Sequence, residues 1–435
     1  MRIPDNRLLP DTAQINGLGH LEIGGVDVLK LVESYRTPIY LYDEMTLRNK
    51  CREFVSSVRG TYPNSKIIFA GKAFLVKEMA RIVSEEGLGL DVVSGGELYL
   101  AKEAGFPMYR VYFHGNNKTL EELKFALSLG VGHIVVDNLY ELEFLASLVK
   151  KRPVDILFRL TPGVDPHTHS YISTGKVDSK FGFQLDSKEL EEAVKIVNLD
   201  PLLNFIGLHC HIGSQIFDIK FFYLAAEVMA EQLVVFTKKW NLPVKELDLG
   251  GGLGIAYKPE DNPPTPKELA VSVADPIGER CNSEGIDLPT LIFEPGRYIV
   301  GNAGVTVYTV GAIKEIPGIR KYVSVDGGMS DNPRPMLYQT EYTAFVANKM
   351  NEQIKEEVTI AGRHCESGDI LIDRAFLPEL ISGDILVVTA TGAYNYSMSS
   401  NYNLFPRPIV IGVRDGKEDV WVDREEYSDL VRLHR

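Results

Sequence analysis

The sequence predicts a (β/α)8 barrel followed by an antiparallel β domain. Eight short apolar runs recur over the first 300 residues, and the first five start about 22 residues apart, the length of one strand–helix unit. Segments of helical periodicity fill the gaps between them. Beyond about residue 300 the pattern changes to alternating apolar and polar residues between Gly, Asp and Pro turns.

The runs are KIIFA (66–70), LGLDVV (88–93), RVYFH (110–114), HIVVD (133–137), DILFRL (155–160), FIGLHCH (205–211), ELDLG (246–250) and TLIFE (290–294). Each is short and rich in Val, Ile, Leu or Phe, as strands buried on both faces must be. The intervening LVKEMARIVSEEG, GELYLAKEAG, TLEELKFALSLG and LYELEFLASLVKK carry polar faces, and several stop at Gly, which ends a helix at little steric cost. A doubly wound sheet is the alternative; the count of eight and the polar residues that follow the strands favour the barrel. VTVYTVGAIKEI, YVSVDGG, EEVTIAG, GDILVVTATGAY and RPIVIGVRDGKEDVWV form the β domain. Residues 17–30 also read as short strands and are expected to join it, so that the barrel is an insertion. The expected division is 1–35 (strands joining the β domain), 36–300 (barrel) and 301–435 (β domain). Segment 161–186, with His167 and His169, is a candidate lid or substrate loop.

The chain has 435 residues, 45% hydrophobic and 24% charged, enough for a large core. Its 46 Lys+Arg against 59 Asp+Glu give a net charge of −13, unsuited to a nucleic-acid backbone. Cys51, Cys210, Cys281 and Cys365 lie far apart with no CxxC pair, which fits reduced thiols in the cytoplasm. The first residues, MRIPDNRLLP, lack the apolar stretch of a signal peptide, and no run approaches the roughly 20 residues of a membrane span.

Barrel enzymes place their chemistry at the C-terminal ends of the strands. There the sequence sets Lys72, then Asp91 and Ser94, His114, Asp137 and Asn138, and Arg159. His209, His211 and Ser214 follow, then Gly250–Gly252, and finally Glu294 and Arg297. A lysine is ordinarily a surface residue; desolvated at a barrel mouth it loses proton affinity and becomes an amine nucleophile for a Schiff base. The triple glycine of DLGGGLG follows the seventh strand, where barrels often bind phosphate. It fails the dinucleotide pattern GxGxxG, because Ile255 stands where the last glycine belongs. EPGR then sets a carboxylate and a guanidinium three residues apart. Lysine, phosphate cradle and carboxylate together describe a pyridoxal phosphate site.

FAGKA, LDVVSGGEL, HGNNK, GLHCHIGSQI, DLGGGLGI, EPGR, CESGD and GAY stand in the order found in diaminopimelate decarboxylases. The chain resembles that family over roughly residues 15–430, within the fold-type III pyridoxal phosphate enzymes whose barrel is of the alanine-racemase type. HGNNK and CESGD favour the diaminopimelate branch over ornithine decarboxylase relatives. Phe69 and Phe74 depart from the commoner form YAxKAN around an intact lysine. The resemblance implies that Lys72 carries the cofactor as a Schiff base and later releases the product. It implies that Glu294 faces the pyridine nitrogen, that His211 stacks on the ring, and that Asp91 lies nearby. Ser214, Gly251, Gly252, Gly296, Arg297 and Tyr394 hold the phosphate by the same likeness. It assigns Cys365 to the active site of the opposite subunit, where the thiol protonates the decarboxylated carbon. Acidic neighbours suit a thiol that gives up a proton rather than one that attacks. The resemblance further implies that Glu366 binds the distal amino group and that Arg334 and Tyr338, with Arg297 and Tyr394, bind the substrate and its distal carboxylate. The implied activity is decarboxylation of meso-diaminopimelate to L-lysine, the last step of lysine biosynthesis, by a homodimer with shared sites.

Three other readings compete. A metal-dependent hydrolase is suggested by His209-x-His211, His167-x-His169 and His364-Cys365-Glu366, yet HExxH and paired CxxC are missing from the sequence, and no metal is expected. A non-catalytic homologue would be expected to have lost Lys72 or Cys365. A decarboxylase of ornithine, arginine, a D-amino acid or carboxynorspermidine would share most cofactor residues; Arg334, Tyr338 and Glu366 favour diaminopimelate.

Overall fold

The computed structural model describes residues 6–166 and 179–435. It comprises two compact units, one of Cys51–Gly254 with Pro263–Gly296, the other of Met1–Lys50 with Ile255–Asn262 and Arg297–Arg435.

The second unit opens with β1 (Gln14–Ile15), β2 (Leu21–Ile23) and β3 (Val26–Asp27), which pair antiparallel as a small sheet of their own. Next comes β4 (Ile39–Asp43), buried at every position. The first unit then supplies β5 (Ser65–Ala70), β6 (Gly89–Val92), β7 (Val111–Phe113), β8 (His133–Val136), β9 (Val154–Thr161) and β10 (Phe183–Gln184). It continues with β11 (Leu203–His209), β12 (Glu246–Asp248) and β13 (Thr290–Phe293). Eight of these run parallel in the order β9-β11-β12-β13-β5-β6-β7-β8, and β8 pairs back to β9, so the barrel is closed. All eight coincide with the apolar runs of the sequence. The two-residue β10, outside those runs, pairs with β9.

Local sequence sets the helices between the strands. Ser94 accepts a hydrogen bond from Glu97 N–H and caps the helix Gly95–Glu103, so this polar residue after β6 starts a helix. Asn138 caps Leu139–Leu148 in the same way. A Thr119–Glu122 capping box starts Leu120–Leu129, and Gly130 in a left-handed conformation ends it. The HGNNK loop is pinned from inside: Lys118 Nζ donates to Gly115 O at 2.9 Å, Val135 O at 2.7 Å and Glu141 Oε1 at 2.7 Å, with both charged side chains 1% exposed. Such a buried pair holds a geometry even where it adds little net stability.

The second unit's large sheet is completed by β14 (Gly304–Ile316), β15 (Arg320–Val325), β16 (Ala344–Val346), β17 (Glu356–Ala361) and β18 (Ile370–Leu377). Three more strands follow, β19 (Ile385–Val388), β20 (Ile409–Arg414) and β21 (Lys417–Val422). The order is β18-β17-β15-β14-β4-β20-β21, with β19 joining β14 to β16. The sheet is mixed rather than antiparallel throughout, because β4–β20 and β15–β17 are parallel pairs linked by long crossovers. Residues 36–50 fall in this unit rather than in the barrel, since β4 pairs with β14 and β20. Residues 297–300 and 255–262 do so too. The small β1–β3 sheet packs on the large one: Leu21 N–H donates to Ala347 O at 2.8 Å, and Leu21, Ile23 and Val26 share a core with Leu41, Val305 and Ile411.

Candidate active site

In the barrel unit, the ends of β5, β6, β7, β11, β12 and β13 bring one set of polar side chains together. Lys72 lies in the 3-10 turn Gly71–Ala73 directly after β5, between the fully buried Ala73 and Phe74 and the strand. Asp91, in β6, is 2% exposed; burial raises its pKa, while His114, Lys72 and Arg159 pull against that rise. Lys72 also acts on His211. Burial first, then the positive charges of Lys72 and Arg159, hold that imidazole well below its usual pKa and therefore neutral. Gly251 N–H donates to His211 Nδ1 at 3.3 Å, which leaves the proton of the neutral ring on Nε2.

The loops after β11 and β12 run against each other. Ile216 N–H donates to Gly252 O at 2.9 Å, and Gly254 N–H to Ile216 O at 3.1 Å. A Cβ on Gly252 (φ +116°) would stand 2.5 Å from Gly213 O, and one on Gly251 would stand 2.2 Å from Glu294 O. Only glycine allows this approach, which leaves backbone at the strand ends uncovered by side chains, as a phosphate cradle requires. Gly296, just after Glu294, lies against Ala70 and Ala73, the residues flanking the lysine turn. Ser214 belongs to the first of the two loops.

Glu294 follows β13 and is 4% exposed. Burial would push its proton affinity up, but His114 and His209 outweigh burial and hold it well below the usual carboxylate range. Its own N–H donates to Gly250 O at 2.8 Å, and Asp248 Oδ1 accepts Gly250 N–H at 2.8 Å. The carboxylate and the glycine turn are thus fixed to each other. An ionised buried carboxylate, a lysine turn and a bare glycine cradle on one barrel mouth fit a phosphorylated pyridinium aldehyde. Glu294 suits the ring nitrogen, Lys72 the carbonyl carbon and Gly251–Gly252 the phosphate.

His114 and His209 were legible as strand-end residues but not as partners of Glu294. Together with Asp248 and Glu294 they offer ligand atoms within 4.8 Å of one another, so the two histidines of His209-x-His211 serve different groups. His364 instead pairs with Asp369 at 2.9 Å, and His167 and His169, with much of the 161–186 segment, lie outside the described residues.

His209 gives a pH test. Burial pushes its folded pKa down to about 3, against about 6.5 in an unfolded chain. Between those values the unfolded chain binds the extra proton, so stability rises with pH across the window and is complete above about 6.5. Replacing His209 by Asn should remove up to one proton from that slope, about 1.4 kcal/mol per pH unit, measured by urea unfolding at a series of pH values.

In the second unit the candidate residues form two groups. The guanidinium carbon of Arg297 lies 4.8 Å from the Tyr394 ring centre, and that of Arg334 lies 5.5 Å from it and 5.1 Å from the Tyr338 ring. Arg297 also donates to Tyr257 Oη, a partner the sequence did not suggest. Tyr394 holds φ at 63°, a costly conformation for a residue with a side chain. Arg334 is 8% exposed, and its Nε has no hydrogen-bond partner among the described residues. Cys365 and Glu366 stand on the exposed loop between β17 and β18. Asn403 Oδ1 accepts Cys365 N–H at 3.1 Å, and Tyr402 Oη donates to Glu366 Oε1 at 2.5 Å.

A barrel with this mouth, joined to a mixed β unit, defines a fold-type III pyridoxal phosphate enzyme. Residues 46–301 match the family model for the pyridoxal-binding domain of pyridoxal-dependent decarboxylases. The chain is 48% identical over 427 residues to the diaminopimelate decarboxylase of Bacillus subtilis, covering 98% of this chain and 97% of that one. The Synechocystis diaminopimelate decarboxylase is 47% identical over 442 residues, covering 99% and 93%. The crystal structure of diaminopimelate decarboxylase from M. jannaschii in co-complex with L-lysine superposes with a TM-score of 0.91 at 32% identity, covering 98% of both chains. The chain belongs to the diaminopimelate decarboxylase family.

Proposed function

We propose that this chain removes CO2 from the D centre of meso-diaminopimelate, giving L-lysine in the last step of lysine biosynthesis. The observation that carries the choice of substrate is the buried Arg334, whose Nε lacks a partner among the described residues, beside Tyr338, Tyr394 and Arg297. A guanidinium fork in that setting calls for a carboxylate. Diaminopimelate retains both an amino group and a carboxylate at its non-reacting end. Arg334 and Tyr338 take the carboxylate, and Glu366 takes the amine. Ornithine or lysine would leave the arginine buried without its counter-charge, a cost of about 3–5 kcal/mol.

Bound pyridoxal phosphate supplies an electron sink for the pair left on Cα when CO2 departs. The chain's own residues do the rest. Lys72 contributes the amine that exchanges with the substrate's amino group. Glu294 holds a proton at the pyridine nitrogen, and His211, neutral, covers the ring without adding charge. Gly251, Gly252, Gly296, Ser214, Arg297 and Tyr394 hold the phosphate, and Asp91 lies beside the lysine. Cys365 Sγ–H delivers the proton to Cα from a second copy of the chain, so the working form is a homodimer with shared sites. Four cysteines, three of them buried, suit a reducing cytoplasm. No helix among the described residues is long and apolar enough to cross a membrane.

A substrate screen with CO2 detection, run with and without added pyridoxal phosphate, tests the activity. Preference for ornithine or lysine would overturn the substrate and leave the cofactor assignment standing. Arg334→Ala should lower kcat/KM for diaminopimelate by roughly 10²-fold or more, the loss that follows from an unmatched charged partner, while cofactor absorbance stays at the level of the parent enzyme.

A further inference from the structure

Glu294 is enclosed by groups that none of the roles above employs. His114, just past β7, brings Nε2 to 2.9 Å from Glu294 Oε1. His209, at the end of β11, brings Nε2 to 3.4 Å from Oε2. Both imidazoles are almost fully buried, and their rings meet edge to face at 4.9 Å. Nδ1 and Nε2 of His209, Nε2 of His114 and Oε1 of Glu294 have no hydrogen-bond partner among the described residues, so each contact is a close approach of an imidazole nitrogen to the carboxylate rather than an aligned hydrogen bond. The backbone of His114 is held by its N–H, which donates to Val92 O at 2.8 Å. Asp91 Oδ1 lies 3.8 Å from its Nε2, and Lys118 pins the loop that follows it to Val135 O and Glu141.

A carboxylate this deep would ordinarily take up a proton, and a neutral Glu294 could not keep a proton on a pyridine nitrogen. We propose that His114 and His209 are positioning residues that keep Glu294 ionised and aimed at the ring nitrogen, His114 being the stronger of the two. The inference rests on the reading that Glu294 faces that nitrogen. It gives the HGNNK motif a physical role, in which His114 supplies the contact and Lys118 holds the loop that carries it.

The test loads the holoenzyme with pyridoxal phosphate labelled with 15N in the ring and reads the nitrogen's chemical shift, which separates protonated from unprotonated pyridine. The parent enzyme should show the protonated position and Glu294→Gln the unprotonated one. His114→Phe, and more so His114→Phe with His209→Phe, should move the signal toward the unprotonated position. The kcat should fall ~10- to 100-fold, the usual effect of removing an outer partner of a reacting group, with KM unchanged within about twofold. His114→Gln, which puts a polar N–H group back beside the carboxylate, should recover part of both. If the phenylalanine variants do not fold, His114→Gln and His209→Asn carry the same measurement as smaller displacements in the same direction. A signal that stays at the parent position in the histidine variants, while Glu294→Gln moves it, overturns the inference. A signal that Glu294→Gln itself leaves unmoved overturns the placement of Glu294 instead. A stoichiometric divalent metal in the purified holoenzyme also overturns the inference, because the two Nε2 atoms would then ligate it rather than face the carboxylate.

Discussion

Borohydride reduction of the yellow holoenzyme should abolish its visible absorption, and peptide mapping should then find the pyridoxyl group on Lys72. The expectation rests on geometry within the barrel unit. Lys72 occupies the turn that leaves β5, and its charge bears on both Asp91 and His211. Lys72→Ala should cost roughly 10⁴-fold or more in kcat, the scale seen when one member of a group that acts as a unit is removed. It should also leave a protein without the linked absorption band. A label on any other lysine would remove Lys72 from its role.

The second large effect concerns Cys365. It is exposed, on a loop where Asn403 Oδ1 accepts its N–H, which agrees with the proposed service of this thiol to another copy's site. Cys365→Ala should lower kcat by ~10²–10⁴-fold, the usual worth of a positioned proton donor. Mixing it with Lys72→Ala, itself inactive, should restore part of the activity, because some mixed dimers regain one intact site. Mixed dimers that form, as judged by native mass spectrometry, yet stay inactive would place lysine and thiol in the same subunit's site.

Much of this was legible in the sequence because a closed parallel barrel buries both faces of every strand. KIIFA, HIVVD and TLIFE therefore read as unbroken apolar runs, and the polar residue after each run marks the barrel mouth. IYLYD at 39–43 has the same texture and is buried at every position, yet it belongs to the other sheet. Burial on both faces states that a strand is central; it does not state which sheet it is central to. The parallel β4–β20 pair was hidden for the same reason, since its partners lie far apart in the chain. Among site residues, Lys72 and Glu294 announce themselves by chemical type at strand ends. The contacts of His114 and His209 depend on barrel closure, which brings the ends of β7, β11 and β13 together around one carboxylate. Spacing along the chain carries no trace of that convergence. Tyr394 was found through the GAY motif, but its nearness to both Arg297 and Arg334 is a property of the fold alone.

The position of β4 also governs how the molecule can be made. Its neighbours in the sheet are β14 and β20, and β20 begins about 370 residues after β4 ends. At ~5–20 residues per second, the ribosome needs roughly 20 to 70 seconds to deliver that last partner. For all that time a strand with a partner on each side in the finished protein has at least one open edge. The barrel, encoded wholly within the interval, can close as soon as its eighth strand emerges, whereas the sheet that brackets it waits almost for release of the chain. Nascent chains stalled after residue 300 should accordingly hold a protease-resistant barrel with 39–43 still accessible to chaperones that bind extended apolar segments.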